Sequence, residues 1–179
     1  MAIRPFISED IPAIHHLLTS NRWEYFLNPI IDERGLEVRD AKYFASDTTQ
    51  TLVYIDSERS LKGFIRFFDI KNSDIVSPEF IVNVDESARG KGVGTELVSR
   101  GVRYVFDTYD KIRRIEATTR VDNKAMQKVF KSAGFRHEAT YRKDWQVKEG
   151  KYLDSLGYAI LREEFDSRIP HGQLGRLEL

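Results

Sequence analysis

The sequence predicts a single mixed α/β domain, and three observations carry that prediction. The chain has 179 residues, of which 41% are hydrophobic and 31% charged, a length and balance suited to one domain with its own core. Its apolar residues switch between a repeat of two and a repeat of three to four, the marks of strand and helix. A strand-like run, a glycine-rich loop and a helix-like run also follow one another directly over residues 80–106. No internal repeat and no low-complexity segment interrupts this order.

Residues 2–6 read as a short strand. Ser8, Glu9 and Asp10 then supply a capping residue and two first-turn acids, and Pro12 is tolerated near a helix start. Ile11, Ile14, Leu17 and Leu18 recur at helical spacing, so this helix runs to about Ser20, with His15 and His16 as solvated or packing residues. The aromatic-rich NRWEYFLNP, residues 21–29, connects to a second helix expected over about 31–45. Leu36, Val38 and Phe44 are its apolar positions, and Gly35 weakens it. Residues 51–55 and 62–69 read as strands joined through the polar DSERS turn, and FIVNV, residues 80–84, as a β-branched third strand.

After the glycine loop, Val93, Leu97, Gly101 and Val105 form one helical column, with Val98, Val102 and Phe106 beside it. Gly101 would let this helix lie close to a sheet. A strand follows at about 114–119. Asp122 and Asn123 then cap a helix that passes through Phe130 to Ser132 and ends at Gly134. Two more strands, 137–145 and 151–161, are separated by VKEG. From Asp166 the tail DSRIPHGQLGRLEL has no useful periodicity and is expected to be loose.

Composition narrows the function classes. Lys plus Arg and Asp plus Glu both number 28, so the formal net charge is zero, which argues against a general nucleic-acid binder. The chain has no cysteine, which rules out disulfides and thiolate chemistry and fits a reducing compartment. MAIRPFISEDIPAI lacks the basic and then apolar pattern of a signal peptide, and no apolar run approaches the ~20 residues of a membrane span. The expectation is a cytoplasmic domain, free of membrane and nucleic-acid partners and holding no metal.

The most informative stretch is SARGKGVG, residues 87–94, where Gly90, Gly92 and Gly94 alternate with Arg89, Lys91 and Val93. A strand feeding a glycine loop that opens a helix is an anion site. The first helical amides have no intrahelical partner, the peptide dipoles align toward them, and glycine lets the backbone come close to a phosphate. The standard nucleotide motifs do not fit. Gly92 follows Lys91 where a P-loop needs Ser or Thr, and Thr95 stands where a dinucleotide fingerprint needs its last glycine.

In this register Arg89, Gly92 and Gly94 match [RQ]-x-x-G-x-[GA], and the sequence resembles the GNAT superfamily of acyl-CoA-dependent N-acyltransferases. The likeness extends through EFIVNVDESARGKGVG, IEATTRVDNKAMQKVFKSAGF and YRKDWQVKEGKYLDSLGYAILREEF, and covers about residues 2–165. The last segment looks like the ribosomal-protein N-acetyltransferase-like branch, with its related spermidine and antibiotic acetyltransferases. The resemblance implies one acetyltransferase domain over residues 1–165 with a tail over 166–179. Its fold would be a central, mostly antiparallel twisted sheet of about six or seven strands flanked by about four helices. It implies acetyl-CoA as cosubstrate and an amine acceptor, either a metabolite or a protein N-terminus. It also allows a homodimer, since related enzymes are often dimers.

The resemblance carries roles residue by residue. The backbone of Val82, Asn83 and Val84 would pair with the pantetheine amides as if CoA were an added strand. The amides of Arg89, Gly90, Lys91, Gly92, Val93, Gly94 and Thr95 would hold the pyrophosphate. Asn123 matches a pantetheine contact and equally reads as a helix cap; Lys128 matches a basic residue near the adenosine phosphate and equally reads as a solvated helix lysine. Glu79 stands at an acidic position used as a general base, or else serves as a strand-end ion pair or an acceptor-binding charge. A backbone amide of the same strand would polarise the thioester carbonyl.

The chain also departs from the family pattern. Met126 and Phe130 stand where relatives often place serine or tyrosine, so Tyr141, Tyr152 or water protonates the departing thiolate, or no dedicated acid exists. Ile81 and Asn83 replace the aromatic and glycine residues that relatives favour in the fourth strand. Trp23, Glu24, Tyr25, Phe26 and Trp145 are candidate acceptor-pocket walls, or a satellite core cluster, and Glu24 and Asp154 could draw in a cationic amine. Two functional classes follow: an N-acetyltransferase working by direct transfer in a ternary complex, or a CoA-binding sensor or interaction domain without turnover. With no cysteine, an acyl-thiol enzyme intermediate is excluded.

Overall fold

In the computed structural model, which describes residues 1–26, 32–70 and 79–167 with the side chains of Glu33 and Glu79 left out, strands and helices alternate along the chain. The first half runs β1 (Ala2–Pro5), α1 (Ile11–Ser20), α2 (Glu33–Glu37), α3 (Ala41–Phe44), β2 (Gln50–Ile55), β3 (Leu61–Phe68) and β4 (Glu79–Val84). The second half runs α4 (Val93–Thr108), β5 (Arg114–Arg120), α5 (Lys124–Ala133), β6 (Arg136–Lys148), β7 (Lys151–Leu161) and α6 (Arg162–Asp166). The mixed α/β architecture is as expected. The strands, however, divide into two antiparallel sheets, β1-β2-β3-β4 and β5-β7-β6, and no ladder joins β4 to β5 among the described residues. The expected tail lies outside the described residues from position 168 on.

Alternation along β2 and β3 sends side chains into two cores. Leu52, Tyr54, Ile65 and Phe67 pack with Leu97, Val98 and Val105 of α4, with Phe130 of α5, and with Ile115 and Ile160 of the second sheet. Val53 and Phe64 pack on the opposite face with Ile14, Leu17 and Leu18 of α1 and Phe44 of α3. Covered on both faces, the two strands are mostly apolar, as TLVYI and GFIRFF read, with Arg66 the charged exception in these runs. Gly101 meets its expectation: a Cβ there would stand 2.9 Å from Phe67 Cε2 and 3.1 Å from Ile65 Cδ1, so α4 lies directly on the sheet.

The single helix expected over 31–45 is two short ones. Asp32 accepts from the Gly35 amide and Asp40 from the Tyr43 amide, each at 2.9 Å, so each aspartate starts its own helical turn. Val38 between them is 66% exposed, and of the three apolar positions only Phe44 is fully buried. At the start of α1, Asp10 does not cap. It binds Arg4 at 2.7 and 2.8 Å and accepts from the Ile7 amide at 2.9 Å, tying β1 to the helix entrance.

Candidate functional site

The site grows from the end of β4. The Asp85 amide donates to Lys62 O at 2.9 Å, one step beyond the Val84–Gly63 pair. In an antiparallel ladder this fixes the phase: bonds to β3 fall at Asp85, Asn83 and Ile81. The N–H and C=O groups of Val82 and Val84 therefore face the other edge, toward β5, where no ladder covers them among the described residues. A close Gly63 makes this packing feasible, because a Cβ there would stand 2.7 Å from Asn83 O.

The glycine loop follows. Gly90 and Gly92 take φ of +74° and +88°, a region that disfavours a side chain, and a Cβ at either would meet nothing within 4 Å. Gly92 is the N-cap of α4 and its carbonyl accepts the first helical bond, from the Glu96 amide at 2.9 Å. The amides of Val93, Gly94 and Thr95 thus stand ahead of the helical ladder, at the positive end of a 16-residue helix. Lys91 is exposed beside them.

Arg89 has a different task from its neighbours. Its amide donates to Glu86 O at 3.3 Å. Its guanidinium reaches Val84 O at 3.0 Å and Arg22 O at 3.1 Å, and lies over the Trp23 ring at 5.2 Å. Asn21 closes the same latch, donating to Leu17 O at 2.8 Å and accepting from the Glu86 amide at 2.6 Å. Burial alone would raise the Asp85 carboxyl, but hydrogen bonds from Ser87 and Asn21 and the charge of Lys62 outweigh it and hold its pKa below the ordinary value. The aromatic loop after α1 and the glycine loop before α4 are therefore one hydrogen-bonded unit.

Between the two sheets lies a cavity of about 360 Å³. Its floor is Phe80, Ile81, Val82 and Asn83 of β4 and Thr118 and Thr119 of β5; Asn123, Met126 and Phe130 close the α5 side. Trp23, Tyr25 and Phe26 come from the loop after α1, and Trp145 from β6. Trp145 is aimed by a distortion in β6, whose register against β7 shifts between Tyr141 and Trp145. Lys143 sits there at φ +52°, its amide donating to Asp154 Oδ1 at 2.9 Å, while Ser155 Oγ donates to Asp144 Oδ2 at 2.5 Å.

Several sequence-derived candidates thus come together at this cavity, and others do not. Val82, Asn83 and Asn123 line it with the four aromatic residues Trp23, Tyr25, Phe26 and Trp145. Trp23 is also core, 4% exposed, with its Nε1 donating to Leu18 O at 2.8 Å, so both readings of that cluster hold. Asn123 Oδ1 accepts from the Met126 amide at 3.1 Å and caps α5 while lining the cavity. Lys128 is exposed on α5. Glu79 begins β4 opposite Phe68, and its side chain is outside the described residues. Tyr141 and Tyr152 are 48% and 49% exposed and are not among the cavity walls. Glu24 is exposed, and Asp154 is spent on the β6 distortion.

Sequence reasoning missed Arg39, Tyr43 and Arg66, which also line the cavity. Arg66 Nε donates to Tyr43 O at 2.7 Å, and its guanidinium stacks over the Tyr43 ring at 4.0 Å from the centroid; Arg39 lies 5.5 Å from the same ring. Burial lowers the Arg66 pKa below its ordinary value, with Tyr43 and Asp69 opposing and the Arg39 charge adding to the decrease. An arginine in the middle of an otherwise apolar strand, GFIRFF, was the available signal.

An α/β domain whose glycine loop opens a helix beside an uncovered strand edge, above a cavity between two sheets, is built to hold an extended phosphorylated ligand. Residues 1–136, well over half of the chain, match the family described as the acetyltransferase (GNAT) domain, and the chain belongs to that family. It is 30% identical over 112 residues to the probable N-acetyltransferase YjcK of Bacillus subtilis strain 168, covering 63% of this chain and 61% of that protein. It is 32% identical over 84 residues to the L-amino acid N-acetyltransferase AaaT of Escherichia coli K12, covering 47% of this chain and 51% of that protein. The aligned part thus spans less than two thirds of either relative. The fold is that of the spermidine N-acetyltransferase from Vibrio cholerae solved in complex with CoA and spermine, with a TM-score of 0.77 at 24% identity over 92% of this chain and 96% of that one.

Proposed function

We propose that this protein transfers an acetyl group from acetyl-CoA to a primary amine, directly, in a ternary complex. The observation that carries the reading is the left-handed Gly90–Gly92 loop opening α4 beside the edge of β4 that no ladder covers among the described residues. The amides of Gly90, Lys91, Gly92, Val93, Gly94 and Thr95 bind the pyrophosphate, and Arg89 holds the loop in place. The backbone of Val82 and the Val84 amide pair with the pantetheine arm; the Asn83 backbone is bonded to β3 instead and the Val84 carbonyl to Arg89. Asn123 adds a contact from the α5 cap, and Lys128 meets the adenosine phosphate.

The chemistry needs a free amine. An alkylammonium has a pKa near ~10.4, so a proton must leave before or during attack. Glu79 takes it, directly or through a water. The amine nitrogen then forms the new C–N bond, the C–S bond breaks, and the departing sulfur takes a proton. A β4 amide stabilises the charge that develops on the carbonyl oxygen. With no cysteine in the chain, the acyl group does not rest on an enzyme thiol.

Isothermal calorimetry with acetyl-CoA, followed by thiol release over an amine panel, tests this. Saturable CoA binding and turnover are expected, and no CoA binding ends the reading. Tight binding with no turnover on any amine or peptide N-terminus would instead favour a CoA sensor. Glu79→Gln should lower kcat roughly 100-fold near pH 7 while leaving CoA affinity unchanged. Three acceptor classes are in view: the polyamines and L-amino acids that the relatives act on, and protein N-termini, as in the ribosomal-protein branch.

A further inference from the structure

Resting on that reading, we infer that the acceptor is a small amine that also carries a carboxylate, an amino acid with an apolar side chain, and that the carboxylate is read by Arg66 beside Tyr43 and Arg39. The charged groups among the described residues lining the cavity are these two arginines, and no described carboxylate lines it. A polyamine would bring two or more positive charges to two fixed ones. An amino acid brings the complementary sign and leaves one amine to react.

Arg66 is placed and prepared for this. It sits on β3 with Ile81 of β4 as its register partner, one strand from the edge where transfer is proposed to occur. Its Nε is held by Tyr43 O at 2.7 Å and its face by the Tyr43 ring at 4.0 Å. Stacking and one fixed bond orient the guanidinium plane, and its planar, forked geometry suits a carboxylate in bidentate contact, with the Asp69 charge also acting on it. Arg39 donates to Gly35 O and lies over the same ring, adding a second cation at the same wall. Burial already disfavours the Arg66 cation, and a bound anion offsets that cost. Trp23, Phe26 and Trp145, which line the same cavity, give apolar surface for a side chain. A protein N-terminus has an amide where an amino acid has its carboxylate, so the same fork discriminates against it.

The test compares phenylalanine with phenethylamine, phenylalaninamide and spermidine on the full chain, by thiol release and by calorimetry on CoA-loaded protein. The amino acid should exceed the other three in kcat/KM, and in affinity for the CoA-loaded protein, by about 100-fold or more. Arg66→Met should lower kcat/KM for phenylalanine by roughly 50-fold or more, mainly through KM, shrink the phenylalanine to phenethylamine ratio, and leave the Kd for CoA unchanged. Arg66→Lys keeps the charge without the fork and should recover only part of the loss. Equal or better use of phenethylamine or spermidine by the wild-type protein overturns the inference, as does no carboxylate dependence of binding to CoA-loaded protein. Failure of the wild-type protein to bind CoA is a separate result and overturns the proposed function instead.

Discussion

Asp10 shows how a single side chain here changes meaning between sequence and structure. Read along the chain it is one of two first-turn acids; in space it is a carboxylate 7% exposed, gripped by Arg4 and the Ile7 amide. Burial is the largest single influence and favours the protonated form, but the Arg4 hydrogen bonds, the Ile7 amide and the Arg4 charge together hold the pKa below its ordinary value. Its contribution to stability is therefore complete above the unfolded pKa of about 3.9 and is lost as pH falls through the lower, folded value. Asp10→Asn should cost about 1–2 kcal/mol at pH 7, and the gap between its denaturant midpoint and that of wild type should narrow as pH falls below about 3.9. A gap that does not narrow with acidification would refute the role.

At the scale of elements, the distorted segment of β6 links a structural defect to a binding wall. At this irregularity the four steps from Tyr141 to Trp145 match only two on β7, from Ser155 to Leu153, so two extra residues of β6 bulge out and Trp145 stands against Leu153. The Asp154 carboxylate on the Lys143 amide holds that irregularity, and Trp145 beyond it lines the cavity. Asp154→Ala should raise KM for the acceptor about 5- to 20-fold while the Kd for CoA stays within twofold, read by steady-state kinetics and calorimetry. Equal loss in both would show a general loosening of the second sheet. The split between α2 and α3 is another decision of this scale: two aspartates take backbone amides that a continuous helix would have used itself.

For the whole molecule, the defining feature is the divided sheet. A ligand that binds the glycine loop and the β4 edge while reaching the cavity walls contributed by β5, α5 and β6 would tie the two sheets together. Such a ligand stabilises the folded protein by about 2.7 kcal/mol at a hundredfold excess over Kd, which for a chain of this size is a rise in Tm of roughly 5–10 °C. Differential scanning calorimetry with CoA checks this, and pyrophosphate alone at the same concentration, which cannot span the cleft and so binds more weakly, should give a smaller shift. Equal shifts from both would place all the binding in the loop.

Much of this was legible in one dimension. Helix α4, strands β2 to β5, the cap at Asn123 and the stop at Gly134 each rest on local pattern, because periodicity, capping groups and left-handed glycines act within a few residues of themselves. The turn over residues 89–94 was legible for the same reason, with Gly90 and Gly92 at positive φ and Gly92 opening α4. The guanidinium of Arg89 could not be read, since its partners at Val84, Arg22 and Trp23 depend on two segments being brought together. Of the wall of Arg39, Tyr43 and Arg66 only the arginine inside GFIRFF could be read, since its meeting with the other two depends on α3, the turn before it and β3 being brought together. By itself the sequence determined α4, strands β2 to β5 and the glycine turn between β4 and α4, because backbone hydrogen bonds and glycine conformations act over a few residues. Only the tertiary structure decided how the strands divide between two sheets and which charges face the cavity, because those follow from packing between residues far apart in the chain.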